Sequence, residues 1–298
     1  MSLFQKLKQH GVLGIIRLIP LNIRYYVRYY AREPVRRYLK YSVGVYAPSI
    51  YDYFWQLNNR NERTAIHKFL KTAPSGTRRQ RKTITKAIRE VHKWVDCQHL
   101  QEEMLQVITQ ILNFSKDIPG VVVEAGTFKG GSAAKLSHAC AYRDRRLVVF
   151  DSFQGIPDNN EPHDLTIFGD IIGNEGSPGF AKGAYDGPLD IVKNNIQKYG
   201  KIEVCEFVEG WFADTMPNFE RPVIVAYIDV DLASSTRTCM RYLYPRLVPG
   251  GVIFSQDGHL PLVIKVLDDP DFWRTEVGVN RPRMVGLGSR KLVQIWKD

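Results

Sequence analysis

The chain has 298 residues, 44% of them apolar and 24% charged, an ordinary globular balance and enough length for one large α/β domain plus an accessory segment. Its formal net charge of +10 is unevenly placed, since residues 1–100 hold 20 Lys+Arg against 5 Asp+Glu and the rest hold 21 against 26. Cys97, Cys140, Cys205 and Cys239 form no CxxC pair, which argues against a zinc cluster or structural disulfides and for a reducing, cytoplasmic setting.

At the N-terminus, Lys6, Lys8, His10 and Arg17 interrupt the apolar residues, so no secretory leader is expected. The longest early apolar stretch, 11–21, is broken by Arg17 and Pro20 and falls short of the roughly 20 residues that span a bilayer. Residues 1–45 then mix aromatics with cations, as in Leu21-Asn-Ile-Arg-Tyr-Tyr-Val-Arg-Tyr-Tyr30 and Arg36-Arg-Tyr-Leu-Lys-Tyr41. Rings beside arginines suit the headgroup layer of an anionic membrane, which would make contact there peripheral. The commoner meaning of such a run is an accessory helical layer or dimerisation arm with a solvated basic face. No nucleic-acid partner is expected, because no nucleic-acid motif accompanies the charge.

Pro74-Ser-Gly-Thr77 punctuates a loop. It divides a basic, aromatic-rich helical segment over 1–75 from a larger domain over 76–298. A second basic run, Arg78-Arg-Gln-Arg-Lys82, follows, and residues 84–112 carry apolar positions at helical spacing, including Ile88, Val91, Trp94 and Val95, then Met104, Val107, Ile108 and Ile111. These helices are expected to pack beside a sheet and cover its pocket.

From residue 119 onward strands and helices alternate. The pattern predicts strands at 121–125, 146–151, 202–208, 223–229 and 250–256, with helices near 131–142, 188–199, 234–246 and 260–268. The tail, 283–288 then 291–296, predicts two strands joined by a tight turn. The alternation alone supports a doubly wound α/β sheet. Within it, Val121-Val-Val-Glu124-Ala-Gly126-Thr-Phe-Lys-Gly130-Gly131-Ser132 reads as a strand turning through glycines into a helix, a place where free backbone N–H groups meet a ligand. The spacing Glu124-x-Gly126-x-x-x-Gly130-Gly131 departs from the G-x-G-x-x-G of nicotinamide-binding turns. Asp151, ending the second strand, is positioned to take ribose hydroxyls. The Gly/Pro/Asp-rich insertion at about 155–187, which includes His163, is expected to act as a substrate lid.

Four segments then acquire a common meaning. Asp151-Ser-Phe-Gln-Gly-Ile-Pro157, Glu209-Gly-Trp-Phe-Ala-Asp-Thr-Met-Pro217, Asp229-Val-Asp-Leu-Ala-Ser-Ser-Thr236 and Tyr244-Pro-Arg-Leu-Val-Pro-Gly-Gly251 resemble, in order and spacing, segments of the macrocin O-methyltransferase family over roughly residues 118–270. The resemblance implies a class I methyltransferase sheet of parallel strands with a C-terminal antiparallel hairpin. It implies transfer of methyl from S-adenosylmethionine to a sugar or glycoside hydroxyl, assisted by magnesium, and association into homo-oligomers through helical segments. It puts Glu124, Gly126, Thr127, Gly130, Ser132, Asp151, Ser152, Phe153, Gln154, Gly210, Trp211 and Phe212 around the cofactor, and Asp229 at the metal and the reacting hydroxyl.

The residues support that reading independently at Asp229, which ends the run Val223-Ile-Val-Ala-Tyr-Ile228 and so emerges at the carboxyl edge of the sheet, where ligands bind. A divalent cation there would lower the pKa of a sugar hydroxyl and fix its oxygen in line with the methyl-bearing sulfur. Asp231 is expected to cap the helix near Ser234 in preference to binding metal. The family usually ends its fifth strand with two adjacent acids, whereas this chain reads Gln256-Asp257-Gly258-His259. Asp257 and the neutral amide of Gln256 would complete a weaker magnesium site, or His259 would act as a direct base, its ordinary pKa lying near operating pH. The alternatives are a metal-independent methyltransferase on another small molecule and a membrane-associated protein that binds the cofactor without turnover.

Overall fold

The computed structural model describes residues 60–74, 77–162, 165–169, 172 and 180–298. The aromatic-basic stretch of 1–45 and His163 lie outside the described residues. One compact unit, Asn61–Ile167 with Ile171–Asp298, holds the features described below.

The sheet contains β1 (Val121–Ala125), β2 (Leu147–Asp151), β3 (Cys205–Glu209), β4 (Val223–Ile228), β5 (Leu247–Ser255), β6 (Met284–Val285) and β7 (Val293–Trp296). Their order is β3-β2-β1-β4-β5-β7-β6. The first five pair in parallel, and β7 runs antiparallel to both β5 and β6. β1 and β4 stand at the centre and are buried along their whole lengths. That is why they read as continuous apolar runs and not as alternating ones.

Among the described residues the helices are α1 (Arg60–Lys71), α2 (Arg78–Trp94), α3 (Gln101–Asn113), α4 (Gly131–Arg143), α5 (Leu189–Tyr199), α6 (Phe212–Thr215), α7 (Ala233–Leu243), α8 (Pro261–Asp268) and α9 (Pro270–Phe272). One core lies between the sheet and α2, α3 and α4, built on Ile88, Val91, Met104, Ile108, Leu136 and Val122. The other lies under α7 and α8, built on Met240, Leu243, Val263, Leu267, Val123 and Ile253. Each fully buried Val or Leu of this kind contributes about 1.5–3 kcal/mol relative to its exposed state.

Two expectations change, and one segment left unassigned is placed. The predicted strand at 202–208 starts late, because Ile202–Val204 form a 3-10 turn before β3. The basic run 78–82 is the first turn of α2, and Arg81 is buried within it, donating to the Phe69 carbonyl at 2.7 Å and to Asn113 Oδ1 at 3.3 Å. Its guanidinium also lies 4.7 Å from the Phe69 ring centre, so this cation ties α1 to α2 and α3. Finally, β6 is only a two-residue strand. The insertion carries no helix among its described residues, but its ends are stitched together. Ile156 N donates to Ala184 O at 2.8 Å, Gly183 N to Ile156 O at 2.9 Å, and Asn159 Nδ2 to Phe180 O at 3.0 Å.

Candidate active site

Backbone bonds continue past the strand ends and draw five loops onto one edge. Gly126 N donates to Phe150 O at 3.0 Å, Asp229 N to Ala125 O at 2.9 Å, Gln256 N to Ile228 O at 2.8 Å and Gly210 N to Asp151 O at 3.0 Å. The loops after β1, β2, β3, β4 and β5 are therefore neighbours along the carboxyl edge, where open α/β sheets bind ligands. Gly126 has φ 81°, and a Cβ there would lie 1.9 Å from the Asp229 carbonyl oxygen. Only glycine fits.

Glu124 is fully buried at the end of β1. Its Oε2 accepts the Thr127 hydroxyl at 3.1 Å, and its Oε1 has no hydrogen-bond partner. Burial pushes its pKa up to about 8, the nearby Asp151 and Asp229 charges adding to this and the Ser132 and Thr127 hydroxyls opposing it. An orphaned buried carboxyl oxygen costs free energy unless something cationic or protic meets it. Asp151, by contrast, is engaged already: its Oδ2 accepts Thr127 N at 2.6 Å and its Oδ1 accepts Phe153 N at 2.7 Å. Burial raises its pKa while these backbone bonds oppose the rise. Each oxygen keeps lone-pair capacity for a second donor.

Ser152 orders the next turn, its hydroxyl donating to Gly155 O at 3.2 Å and accepting Gln154 N at 3.1 Å. Phe153 is buried with φ 57° and tilts against Phe207, whereas Gln154 faces solvent. Beyond β3, Gly210 has φ 140°, Trp211 is 38% exposed, and Phe212 packs partly into the core under α7 and α8.

At the other end of the edge, carboxylate oxygens of Asp229, Asp231 and Asp257 all lie within 4.8 Å of one another. Tyr227 donates to Asp229 Oδ2 at 3.1 Å. Asp257 Oδ2 accepts the main-chain N–H groups of Val230 and Asp231, both at 3.0 Å. Burial raises all three pKa values, Asp257 to about 7, and the Lys291 cation opposes the rise in each. Three carboxyl groups so arranged are an oxygen donor set that suits a hard divalent cation, whose charge would reverse those shifts.

Asp231 is not the helix cap expected from its position. The N-cap of α7 is Leu232, which makes no side-chain cap bond. Glu161 caps the helix from the insertion, accepting Ala233 N at 2.7 Å and Ser234 N at 2.9 Å. Asp231 instead stands in the left-handed region at φ 61°, an uncommon conformation for a non-glycine residue and one that clusters at functional sites.

Gln256 is fully buried, its Nε2 donating to Glu103 Oε2 at 2.7 Å while its Oε1 lacks a partner. His259 departs from the ordinary histidine on which its role as a base was argued, because burial and Lys291 push its pKa down to about 3. Its ring is therefore neutral at physiological pH and a poor proton acceptor. Its carbonyl accepts Ile167 N at 2.9 Å, fastening the insertion beside the acids.

The model of the macrocin O-methyltransferase family matches residues 57–282. The chain belongs to this family. Among its relatives, mycinamicin III 3''-O-methyltransferase of Micromonospora griseorubida is 36% identical over 155 residues, 48% of this chain and 57% of that one. The 8-demethyl-8-(2,3-dimethoxy-alpha-L-rhamnosyl)-tetracenomycin-C 4'-O-methyltransferase of Streptomyces olivaceus is 30% identical over 171 residues, 55% of this chain and 62% of that one. The matches thus span about three-fifths of these relatives' lengths. The structure of the O-methyltransferase NovP superposes with a TM-score of 0.52 and 25% identity, covering 66% of this chain and 78% of that chain. CalS11, a calicheamicin methyltransferase, shares the fold, with a TM-score of 0.50 and 19% identity over 80% of this chain and 92% of its own.

Several groups around this family's edge escape a reading of the sequence. Tyr227 looks like one more apolar strand residue, and Lys291 sits in a hairpin with no distinguishing spacing. Glu161 caps a helix 72 residues further along the chain. For Asp231, the Asp-x-Asp spacing was a usable signal, overridden by the resemblance to a cap.

Proposed function

We propose that this chain is an S-adenosylmethionine-dependent O-methyltransferase acting on a sugar or glycoside hydroxyl. One observation carries the reading: a buried glutamate with an unpartnered oxygen, Glu124, shares a sheet edge with the cluster Asp229, Asp231 and Asp257. Glu124 Oε1 would accept the ammonium of the cofactor's amino-acid end. A cation there favours the ionised carboxylate and offsets the burial that raises its pKa. Gly126, Thr127, Gly130 and Ser132 would shape the turn around that end, with Asp151 taking ribose hydroxyls through its remaining lone pairs. Ser152, Phe153, Gln154, Gly210, Trp211 and Phe212 would flank the adenosyl group. When bound, S-adenosylmethionine supplies a methyl group on a positively charged sulfur, which an oxygen must approach in line.

Asp229, Asp257 and the Gln256 amide oxygen would hold Mg2+. When bound, Mg2+ lowers the pKa of a hydroxyl oxygen and fixes its position. Of the three acids, Asp231 alone has a carboxylate free of the hydrogen bonds that hold Asp229 and Asp257. That leaves it the better placed to accept the acceptor's proton, ahead of the weakly basic His259. The acceptors of the mycinamicin and rhamnosyl-tetracenomycin methyltransferases to which the chain is related support a glycoside acceptor. Residues 155–187 would lie over that acceptor as a lid. The basic segment, read as 1–75, would serve as a helical accessory, making peripheral membrane contact or a homo-oligomer. No described helix is long and apolar enough to cross a membrane.

A metal-independent variant of the same reaction has one observation in its favour, the Lys291 cation whose field already acts on all three acids. Calorimetric titration with S-adenosylmethionine, with and without Mg2+, separates the readings. Absence of cofactor binding would sink both. Binding and turnover that survive a chelator would remove the metal alone.

A further inference from the structure

Below the acid cluster lies a row of buried polar side chains to which the transfer reading assigns no task. Tyr227 stands beside Glu124 in the register of β4 against β1, with no solvent exposure. Side chains two residues apart on a strand share a face, so Tyr227 comes directly under Asp229 and donates its hydroxyl to Oδ2 at 3.1 Å. A phenol in the middle of an apolar strand is costly to desolvate unless its hydroxyl is bonded. Here the bond goes to the cluster.

The ring of Tyr227 is itself held. His99 meets it edge-on, with centroids 6.4 Å apart and planes at 81°. His99 Nε2 lies 2.7 Å from Lys135 Nζ, and both residues are buried. An ammonium can only donate, so His99 Nε2 is the acceptor and its ring proton sits on Nδ1. Lys135 projects from α4 and His99 precedes α3. The helices that cover the cofactor turn thus reach Asp229 through one lysine, one histidine and one tyrosine.

We propose that Tyr227 is a positioning residue for methyl transfer, its hydroxyl fixing the orientation of the Asp229 carboxylate and the Lys135–His99 pair fixing its ring. The proposal rests on the function argued above. Rotation about the last torsion of an aspartate is soft, so without a donor the carboxylate samples orientations that do not point into the cluster. Preorganised ligands bind a cation more tightly than mobile ones, because ordering is complete before binding.

The test uses the full chain with Mn2+ alone as the metal probe, its affinity read by electron paramagnetic resonance. S-adenosylmethionine affinity is read by calorimetry, and stability by thermal melting. Tyr227→Phe keeps the ring and removes the hydroxyl. The expected result is a Mn2+ dissociation constant raised about tenfold or more, the size of one hydrogen bond to a charged group, with cofactor affinity and melting temperature unchanged. Unchanged Mn2+ affinity overturns the proposal. So does a parallel fall in all three readings, the mark of a merely structural role. His99→Gln, which retains an acceptor for Lys135 and loses the ring, is the second variant. It is expected to weaken Mn2+ binding by less than Tyr227→Phe does, because it acts on Asp229 only through the ring, and no change removes the pair from the proposal. A parent chain that binds S-adenosylmethionine without binding Mn2+ would overturn the metal reading of the cluster together with this proposal, an outcome visible before any variant is made.

Discussion

Asp257 accepts the main-chain N–H of Asp231 at 3.0 Å, so an acid at the end of β5 fixes the backbone that carries a neighbouring acid. The same oxygen takes Val230 N. A loop held this way keeps Asp231 at its positive φ and keeps three carboxyl groups close despite their mutual repulsion. Ligand-free, that closeness is a local instability. The chemistry argued above depends on it.

The first prediction follows from that instability. Asp257→Asn retains an oxygen for both N–H bonds and removes a carboxylate whose pKa rises to about 7 on folding. A folded-state pKa above the unfolded value favours the protonated form, so this contribution to stability is complete below about pH 4 and lost as pH rises towards 7. In chelator at pH 8 the variant is expected to be more stable than the parent by about 1–3 kcal/mol in urea melts. Its Mn2+ binding and turnover should fall at least tenfold. A variant less stable than the parent at pH 8 would contradict this account.

Glu124 carries the same sign in another window. Its folded pKa of about 8 lies above the ordinary glutamate value of 4.5, so the ligand-free chain should lose stability progressively between those two values. Glu124→Gln should flatten that dependence, measured as urea midpoints at pH 5, 6.5 and 8. It should also weaken S-adenosylmethionine binding about tenfold or more in calorimetry, because an amide oxygen meets the ammonium without charge.

Glu161 caps α7 with both oxygens and anchors the start of the insertion. Glu161→Ala leaves two helix N–H groups unmet and removes a negative charge from a helix N-terminus, effects worth about 1 kcal/mol or somewhat more together. The melting temperature should drop by about 2–4 °C. Proteolysis should then begin within 155–187, and cleavage starting elsewhere would disconnect the cap from the insertion.

Arg81 gives a prediction remote from the site. Arg81→Met keeps the bulk of the stem but loses the bonds to Phe69 O and Asn113 Oδ1. Destabilisation of about 1–2 kcal/mol is expected from the lost hydrogen bonds, with S-adenosylmethionine affinity unchanged in calorimetry.

What could be read from the amino-acid order divides along physical lines. The central strands were legible because burial on both faces forces unbroken apolar runs such as Val121-Val-Val and Val223-Ile-Val-Ala-Tyr-Ile228, and the glycine turn was legible because a left-handed φ strongly favours glycine. The start of β3 was not, since Ile202-Glu-Val has the same alternation whether it forms a strand or a 3-10 turn. Long-range partnerships were invisible. Gln256 finds Glu103 across 153 residues, and no local pattern announces such a pair. The shift of His259 likewise comes from burial first and from Lys291 second, both of which the fold alone supplies.

The near-contact of Gly126 with the Asp229 carbonyl means that the distance from donor turn to acid loop is set by main chain against main chain. No rotamer can retune that gauge, and no side-chain exchange can widen it without breaking the turn. The insertion touches the edge through Glu161 and the His259 carbonyl, and under the proposed function it is the segment in which acceptor choice would vary. Transplanting residues 155–187 between members of the family is therefore expected to exchange acceptors while the spacing of the reacting groups stays as it is.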